Sequence, residues 1–278
     1  MAVRLIVLDL DGTLLGADNR LSPYTVVSLE RARDAGLTLM AATGRSRWAT
    51  DLVLDGTTAV EWAICSNGTA LYHRTQGETV WCEEITPYVT DLCDMVNRAI
   101  PGACWAWETE QGVVADATFR RIGEKPEHDL DELRASPRLD LPGDDDTPIA
   151  ERLAPFGKVV RGMLTHPDIR TADLVGLLPA KVPALISSSA AIFLEVTAPG
   201  VHKGAMLERF CDREGIAAAD VVAFGDHMND RQMLAWAGRG IGMRGGHAAL
   251  LAQVSEITDF PHDEDGAALA VDKLVADL

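Results

Sequence analysis

The stretch VRLIVLDLDGTLL, residues 3–15, decides the fold. Val3 to Leu10 is a nearly continuous apolar run of strand length, which is typical of a parallel strand buried on both faces. Asp9 and Asp11 stand at the end of this run, and Gly12 predicts a tight turn after them. In open α/β sheets, ligands bind at the carboxyl ends of the strands. The stretch therefore predicts a buried first strand with an acidic site at its end.

Helices and strands alternate in the following residues. Ser22-Pro23 predicts a helix start, with Ser22 as N-cap and Pro23 at the first helical position, and Gly36 predicts the helix end. A strand, a second helix and a third strand are then predicted at Leu37–Ala42, Ser46–Leu54 and Trp62–Cys65. This alternation predicts an α/β fold with a parallel sheet.

The pattern changes at about Ile85, and the α/β alternation resumes at Lys203. Between these points the sequence predicts hairpins mixed with helices. The strands are Cys104–Glu108, Gly112–Asp116, Val159–Thr165, Leu185–Ser188 and Ile192–Val196, and the helices are Pro87–Ala99 and Asp168–Leu178. The polar stretch Glu124–Pro148 is interpreted as a solvated loop around a short helix. We therefore predict an α+β domain at 85–190, inserted into a core that is formed by 1–84 and 191–278.

The composition bounds the functional class. A chain of 278 residues predicts two domains, and 47% hydrophobic with 24% charged residues is typical of a globular protein. Lys and Arg number 25 and Asp and Glu 42, so the net charge is −17 and repels the phosphates of nucleic acids. A local Lys or a divalent cation can reverse that field within one cleft. A small phosphorylated metabolite therefore remains compatible with the charge, and nucleic acid is not an expected partner.

The apolar runs and the cysteines bear on the cellular setting. No apolar run approaches the ~18 residues of a membrane span. The five cysteines include no CxxC pair, so we expect reduced, mostly buried thiols, with neither a zinc site nor a disulfide framework. These features predict a cytoplasmic protein that does not bind membranes, either a monomer or a homodimer.

The two acidic residues at the end of the first strand predict a metal site. Carboxylates crowded together repel one another unless a cation neutralises them, and oxygen-only ligands favour Mg²⁺ over zinc. An ordinary Asp-Gly turn is the alternative. A calcium-binding EF-hand loop is excluded, because such a loop starting at Asp9 would place Leu14 where Gly is needed and Arg20 where Glu is needed.

Three further points follow the same logic. Thr43-Gly44 follows the second strand and offers a hydroxyl and backbone N–H groups to phosphate oxygens, and an ordinary helix cap is the alternative. Lys203 stands at a helix start, where the helix dipole disfavours a cation. We therefore consider a role for Lys203 in the site, and a solvated lysine is the alternative. Asp226 and Asp230 are four residues apart after a strand, so both can face one site. His227 is interpreted as a loop residue, because no second His or Cys has zinc-ligand spacing.

In this order, the four motifs resemble those of the haloacid dehalogenase (HAD) superfamily of phosphohydrolases, specifically the Cof-type branch with a large α+β cap. The resemblance spans nearly the whole chain and implies a Rossmann-like core with an inserted cap. The residues that carry it are Leu8-Asp9-Leu10-Asp11-Gly12-Thr13-Leu14, Ala42-Thr43-Gly44-Arg45, Lys203-Gly204 and Gly225-Asp226-His227-Met228-Asn229-Asp230, with Ser66-Asn67-Gly68 as a branch feature.

The resemblance implies hydrolysis of phosphate monoesters with Mg²⁺. Asp9 would attack phosphorus to form an aspartyl-phosphate, and Asp11 would protonate the leaving oxygen and then activate water. The residues implied in metal binding are Asp9, the backbone carbonyl of Asp11 and Asp226, with Asp230 or Asn229 in support. Those implied in binding the phosphoryl oxygens are Thr43, Gly44 and Lys203.

The resemblance defines the substrate and the overall reaction less closely than it defines the phosphoryl chemistry. Sugar phosphates are the expected substrates, and a phosphomutase and a non-catalytic phosphometabolite-binding protein are the alternatives. The branch usually has Asn where this chain has Gly245, so a polar contact on the substrate side is expected either to be lost or to be replaced by Arg244 or His247. Specificity is expected to reside in the cap, whose polar or aromatic candidates are Trp105, Trp107, Glu108, Arg120, Arg121 and Lys125. For the tryptophans, burial in the cap core is the favoured interpretation.

A dinucleotide-binding oxidoreductase is a further class of alternative. Gly240 to Gly245 matches the dinucleotide-binding pattern G-x-G-x-x-G. That pattern needs a strand before it and a long βαβ unit after it, whereas the residues before it predict a helix. The context therefore argues against a dinucleotide site.

Overall fold

The computed structural model describes residues 3–123, 135–136, 139–140, 148–187 and 192–278. It divides into two compact units, one of Met1–Trp81 with His202–Leu278 and one of Cys82–Val201.

The first unit contains an eight-stranded sheet. Its strands are β1 (Leu5–Leu8), β2 (Thr38–Ala42), β3 (Trp62–Cys65), β4 (Ala70–His73), β5 (Glu78–Cys82), β12 (Val221–Gly225), β13 (Arg239–Gly242) and β14 (Glu256–Ile257). Its helices are α1 (Pro23–Asp34), α2 (Arg47–Val53), α7 (Lys203–Glu214), α8 (Arg231–Trp236), α9 (Ala248–Leu251) and α10 (Gly266–Ala276). The second unit contains strands β6 (Cys104–Thr109), β7 (Gly112–Ala115), β8 (Leu139–Asp140), β9 (Val159–Thr165), β10 (Leu185–Ser187) and β11 (Leu194–Thr197). Its helices are α3 (Val89–Ala99), α4 (Ala117–Gly123), α5 (Ile149–Leu153) and α6 (Thr171–Leu174).

The first sheet has the strand order β14-β13-β12-β1-β2-β3-β4-β5. Neighbours from β14 to β3 are parallel, which confirms the predicted parallel α/β core. Strand β4 then pairs with β3 in the antiparallel direction. Strands β4 and β5 and the two-residue β14 are not among the strands predicted from the sequence. Strand β1 lies at the centre, so the motif that ends it projects from the middle of the sheet.

Both faces of this sheet are covered, as the apolar run of β1 predicts. Leu5 and Val7 belong to an apolar cluster that also contains Phe210 of α7. Ile6 and Leu8 belong to a second cluster, which includes α1 and α10 residues such as Val271. Successive side chains of a strand point to opposite faces of the sheet. The two clusters therefore lie on opposite faces, and with helices on both of them the unit has three layers, α/β/α.

The second unit has a six-stranded sheet with the order β10-β11-β9-β6-β7-β8. The pairs formed by β6, β7, β9, β10 and β11 are antiparallel, in agreement with the predicted α+β character. Helix α3 contributes Val89, Leu92 and Val96 to the apolar cluster on one sheet face. Trp105 and Trp107 are buried in the same cluster and stack with ring centroids 4.7 Å apart. Both tryptophan side chains are therefore part of the hydrophobic core of this unit, as the favoured interpretation of burial in the cap core predicts.

Some details of the second unit differ from the predictions. The unit extends to Val201, whereas the sequence predicts its end at 190, because β11 pairs with both β9 and β10 in its sheet. The helix predicted at Asp168–Leu178 is shorter: α6 is followed by a 3₁₀ turn at Val175–Leu177. Most of the polar stretch, including the candidate Lys125, lies outside the described residues.

Candidate active site

Three predicted site residues of the first unit, together with Ser66 of the branch feature, follow adjacent strands. Asp9 follows β1, Thr43 follows β2, Ser66 follows β3, and Asp226 follows β12. These four strands are consecutive in the sheet and parallel, so all four residues lie at its carboxyl edge. This is the place where open α/β sheets bind ligands.

Lys203 joins the first and last motifs. Its Nζ donates to Asp9 Oδ1 and to Asp230 Oδ1, each at 2.6 Å. Lys203 and Asp230 are fully buried, and Asp9 is 4% exposed. The lysine begins α7, whose N-cap His202 accepts a hydrogen bond from Ala205 N–H. The alternative of a solvated lysine is therefore wrong, because two carboxylates hold the ammonium inside the protein.

Asp230 also shapes the loop after β12. Its Oδ2 accepts hydrogen bonds from the backbone N–H groups of Asp226, at 3.0 Å, and His227, at 3.1 Å. Gly225 is required beside it, because a Cβ on Gly225 would stand 2.6 Å from Asp230 Cβ. Both oxygens of Asp230 are thus engaged by the protein, which gives this residue a positioning role.

Carboxylate oxygens of Asp9, Asp226 and Asp230 lie within 4.8 Å of one another. Burial is the main cause that raises the pKa of Asp9 well above its usual value, and Asp230 raises that pKa further. Burial and Asp230 also raise the pKa of Asp226 to about 7. For Lys203, burial acts to lower the pKa, but Asp230 and Asp9 outweigh it and raise the pKa. Three carboxylates around one ammonium leave excess negative charge, so a divalent cation with oxygen ligands fits this donor set.

Asp11 is placed differently from these three residues. Its carboxylate accepts from Arg45 Nε at 2.9 Å and from Arg45 Nη2 at 2.7 Å. The Asp11 side chain is 48% exposed, whereas the Arg45 side chain is 11% exposed. Gly12 turns the chain here with a φ of 77°, and a Cβ on Gly12 would stand 2.4 Å from Asp226 Oδ2. The missing side chain of Gly12 therefore makes room for the Asp226 carboxylate.

The loops after β2 and β3 are joined by backbone hydrogen bonds. Asn67 N–H donates to the Thr43 carbonyl at 3.0 Å, and Ser66 N–H donates to the Arg45 carbonyl at 2.8 Å. Thr43 is fully buried, and its Oγ1 accepts from Arg45 N–H at 3.0 Å. Gly44 lies between Thr43 and Arg45 in the chain. The Thr43-Gly44 pair is therefore part of the loop that is hydrogen-bonded to the loop after β3.

The loop after β13 carries the departure from the Cof-type pattern. Gly245 has a φ of 87°, and no atom lies within 4 Å of where its Cβ would be. Arg244 is turned toward Thr258, whose carbonyl oxygen accepts from Arg244 Nε at 3.3 Å. His247 N–H donates to the Asp226 carbonyl at 2.7 Å, and the His247 ring lies edge-on to His227, with centroids 5.0 Å apart. Of the two expected replacements, His247 is thus the one that contacts the Asp226 loop.

The glycine pattern between Gly240 and Gly245 has no dinucleotide-binding context. Its first residues lie within β13, and the four-residue helix α9 is the next helix after it. In β13 the glycines permit close packing, since a Cβ on Gly240 would stand 2.1 Å from the Leu234 carbonyl oxygen.

Comparisons with known proteins identify the family of the chain. The family model described as haloacid dehalogenase-like hydrolase matches residues 6–271. An HMP-PP phosphatase of Enterobacter sp. (strain 638) is 30% identical over 277 residues, which cover 93% of this chain and 90% of that protein.

Two solved structures share the fold. The HAD phosphatase BT1666 from Bacteroides thetaiotaomicron is 21% identical, with a TM-score of 0.78 over 98% of this chain and 95% of that one. The HAD subclass IIB sugar phosphatase BT4131 is also 21% identical, with a TM-score of 0.75 over 98% of each chain. The chain therefore belongs to the haloacid dehalogenase-like hydrolase family as a Cof-type phosphohydrolase, an enzyme that hydrolyses phosphoric monoesters.

Proposed function

We propose that this enzyme is a Mg²⁺-dependent phosphatase of small phosphorylated metabolites that acts through an aspartyl-phosphate on Asp9. The observation that carries the proposal is the position of Lys203, which lies between Asp9 and Asp230 with Asp226 beside them. Sugar phosphates are the substrate class that we expect. HMP-PP is the second candidate, because a relative at 30% identity is named for it.

In the first step, a carboxylate oxygen of Asp9 forms a bond to phosphorus while the bond from phosphorus to the leaving oxygen breaks. Lys203 holds Asp9 Oδ1 at 2.6 Å and so fixes the orientation of the nucleophile. Asp11 gives its proton to the leaving oxygen. In the second step, Asp11 takes a proton from water, the water oxygen bonds to phosphorus, and the bond to Asp9 breaks to release phosphate.

The charge on the transferring group needs compensation. Lys203 supplies one cation, and Thr43 and Gly44 supply a hydroxyl and backbone N–H groups at the adjacent strand end. Mg²⁺, when bound, would supply a divalent charge that stabilises the phosphoryl oxygens. Asp9, Asp226 and the backbone carbonyl of Asp11 would hold it, with Asn229 or Asp230 in support.

The decisive experiment is phosphate release from sugar phosphates, HMP-PP, nucleotides and p-nitrophenyl phosphate in Mg²⁺. The protein and its Asp9→Asn variant are compared, since this change removes the nucleophile with little change of shape. Release by the unaltered protein alone supports the proposal. Turnover by Asp9→Asn near the normal rate contradicts the role of Asp9. Silence from both favours the mutase or the non-catalytic alternative.

The cellular setting remains a prediction. Among the residues that the structure covers, no helix has the length and apolar character of a membrane span. The five cysteines are free thiols, which suits a reducing compartment, and we propose the cytoplasm. A monomer or a homodimer is the expected assembly.

A further inference from the structure

Ser66-Asn67-Gly68 is a motif without a role in the mechanism proposed above. All three residues have left-handed backbone angles, with φ of 49° at Ser66, 58° at Asn67 and 104° at Gly68. Such conformations are unfavourable for residues other than glycine and persist where the surrounding structure imposes them, often at functional sites.

The loop is held by close packing against α7. A Cβ on Gly68 would stand 2.4 Å from the carbonyl carbon and oxygen of His202 and 2.8 Å from Lys203 N. On its other side, Asn67 N–H donates to the Thr43 carbonyl. Asn67 is thus fixed between two residues that are expected to bind the phosphoryl group, Thr43 and Lys203.

The Asn67 side chain is 4% exposed and meets the last motif. Asn229 Nδ2 donates to Asn67 Oδ1 at 3.0 Å. Within the described residues, Asn67 Nδ2 and Asn229 Oδ1 are buried and have no hydrogen-bond partner. One bond between two amides leaves one amino group and one carbonyl unused, and with Asn229 as the donor these are the Asn67 amino group and the Asn229 carbonyl.

A buried polar group without a partner is costly, at about 1–3 kcal/mol, and in native proteins it calls for an explanation such as a ligand. The unused groups are complementary to the proposed chemistry. An amino group donates to a phosphate oxygen, and a carbonyl oxygen suits a hard cation. The pair also has no charge, so it adds donors without adding to the repulsion among the carboxylates.

From these observations we infer that Asn67 is a further phosphate-binding residue, whose side-chain amino group donates to an oxygen of the phosphoryl group that Asp9 attacks. This inference rests on the proposed function for the location of the phosphoryl group. Asn229 positions the Asn67 amide through the hydrogen bond at 3.0 Å.

Two variants of Asn67 test the inference. Asn67→Asp keeps the shape and the oxygen that accepts from Asn229 but removes the donor. Asn67→Gly removes the whole amide and tolerates a φ of 58°. Asn19 is a matched control, because it is exposed and has nearly the same φ, 59°. Asn19→Asp and Asn19→Gly therefore report the effect of the same exchanges on the backbone alone.

The measurements are the dissociation constant of inorganic phosphate by calorimetry in Mg²⁺, KM and kcat with p-nitrophenyl phosphate, and Tm. We expect both Asn67 variants to weaken phosphate binding and raise KM at least tenfold, with both Asn19 variants unchanged. A structural role predicts instead that both Asn67 variants lower Tm while Asn67→Gly binds phosphate normally. Asn67→Gly decides this point, because Asn67→Asp also adds a negative charge that repels phosphate.

The outcomes separate this inference from the proposed function. If the unaltered protein hydrolyses p-nitrophenyl phosphate and the Asn67 variants bind phosphate as it does, the inference is overturned and the proposed function stands. If the protein binds phosphate in an Asn67-dependent way without hydrolysis, the proposed function fails and the binding role of Asn67 stands. A protein that neither binds phosphate nor hydrolyses the ester contradicts both.

Discussion

Lys203 Nζ lies 2.6 Å from Asp230 Oδ1, and both side chains are fully buried. Asp9 Oδ1 lies equally close to the same ammonium. Removing one partner of a buried ion pair leaves an uncompensated charge, which costs more than the net contribution of the intact pair. The stability of the core and the geometry of the site therefore depend on the same lysine.

Lys203→Met should lower the free energy of unfolding by about 3–5 kcal/mol, because its buried carboxylates lose their cation. Urea unfolding in EDTA at neutral pH measures this change. Lys273→Met is the control, since Lys273 pairs with Asp259 while their side chains are 67% and 64% exposed. We expect a much smaller loss for the control. Equal losses for the two variants would show that Lys203 does not stabilise the core in this way.

Gly12 supports a second prediction, since it combines a φ of 77° with the contact to Asp226. Gly12→Ala should displace the Asp226 carboxylate and lower phosphate release on the order of 100-fold, the effect of a displacement of about 1 Å at a catalytic site. Gly36→Ala is the control, because Gly36 has a φ of 89° with open space around it. That variant should lose about 1–2 kcal/mol of stability through backbone strain and keep its activity. Full activity in Gly12→Ala would contradict the proposed contribution of this contact.

The sequence predicts elements well where caps mark their ends. Helix α7 begins at Lys203, the predicted helix start, and it ends at Glu214 because Gly215 stops it in a left-handed conformation with a φ of 62°. Strand β3 also has its predicted bounds. Strands β4 and β5 were missed because pairing with neighbouring strands in the sheet defines them more than their own pattern does.

The site was predictable as a set of motifs but not as a set of contacts. Parallel strands bring their carboxyl ends together, so Asp9, Thr43 and Asp226 could be placed at one edge from sequence. The hydrogen bonds between Asp11 and Arg45 depend on side-chain rotamers, and no spacing rule predicts them. The contact of Asn67 with Asn229 spans 162 residues and requires left-handed backbone angles that sequence does not specify.

The cysteines give a prediction that is independent of catalysis. Burial is the main cause that raises the pKa of Cys82, Cys93 and Cys211 to about 12 and that of Cys104 to about 11. Because the thiolate is the reactive form, these thiols should react slowly with iodoacetamide at pH 8, and the rate should rise about tenfold per pH unit below the pKa. Mass spectrometry of tryptic peptides measures each site. Fast alkylation of any of the four in the folded protein would contradict the pKa direction, and all five cysteines should react after unfolding.

Metal removal tests the three-carboxylate cluster. EDTA should abolish phosphate release, and Mg²⁺ should restore it, because an all-oxygen donor set favours a hard divalent cation. Mg²⁺ should also raise Tm in the absence of substrate, since it relieves repulsion among Asp9, Asp226 and Asp230. Asp226→Asn should weaken both effects. Activity that persists in EDTA, or full activity with zinc alone, would argue against the proposed metal site.

Asp11 should contribute more to the second chemical step than to the first. A leaving oxygen that is already acidic, as in p-nitrophenyl phosphate, needs little protonation, whereas water must lose a proton before it attacks the aspartyl-phosphate. Asp11→Asn should therefore lower turnover by about 10²–10⁴-fold and accumulate a phosphoryl group on Asp9, which mass spectrometry of acid-quenched protein detects. Asp18→Asn is the control, because Asp18 is exposed in the loop that follows. If Asp11→Asn turns over normally, or if turnover falls and no phosphoryl group can be trapped on Asp9, the assignment of Asp11 to the second step is wrong.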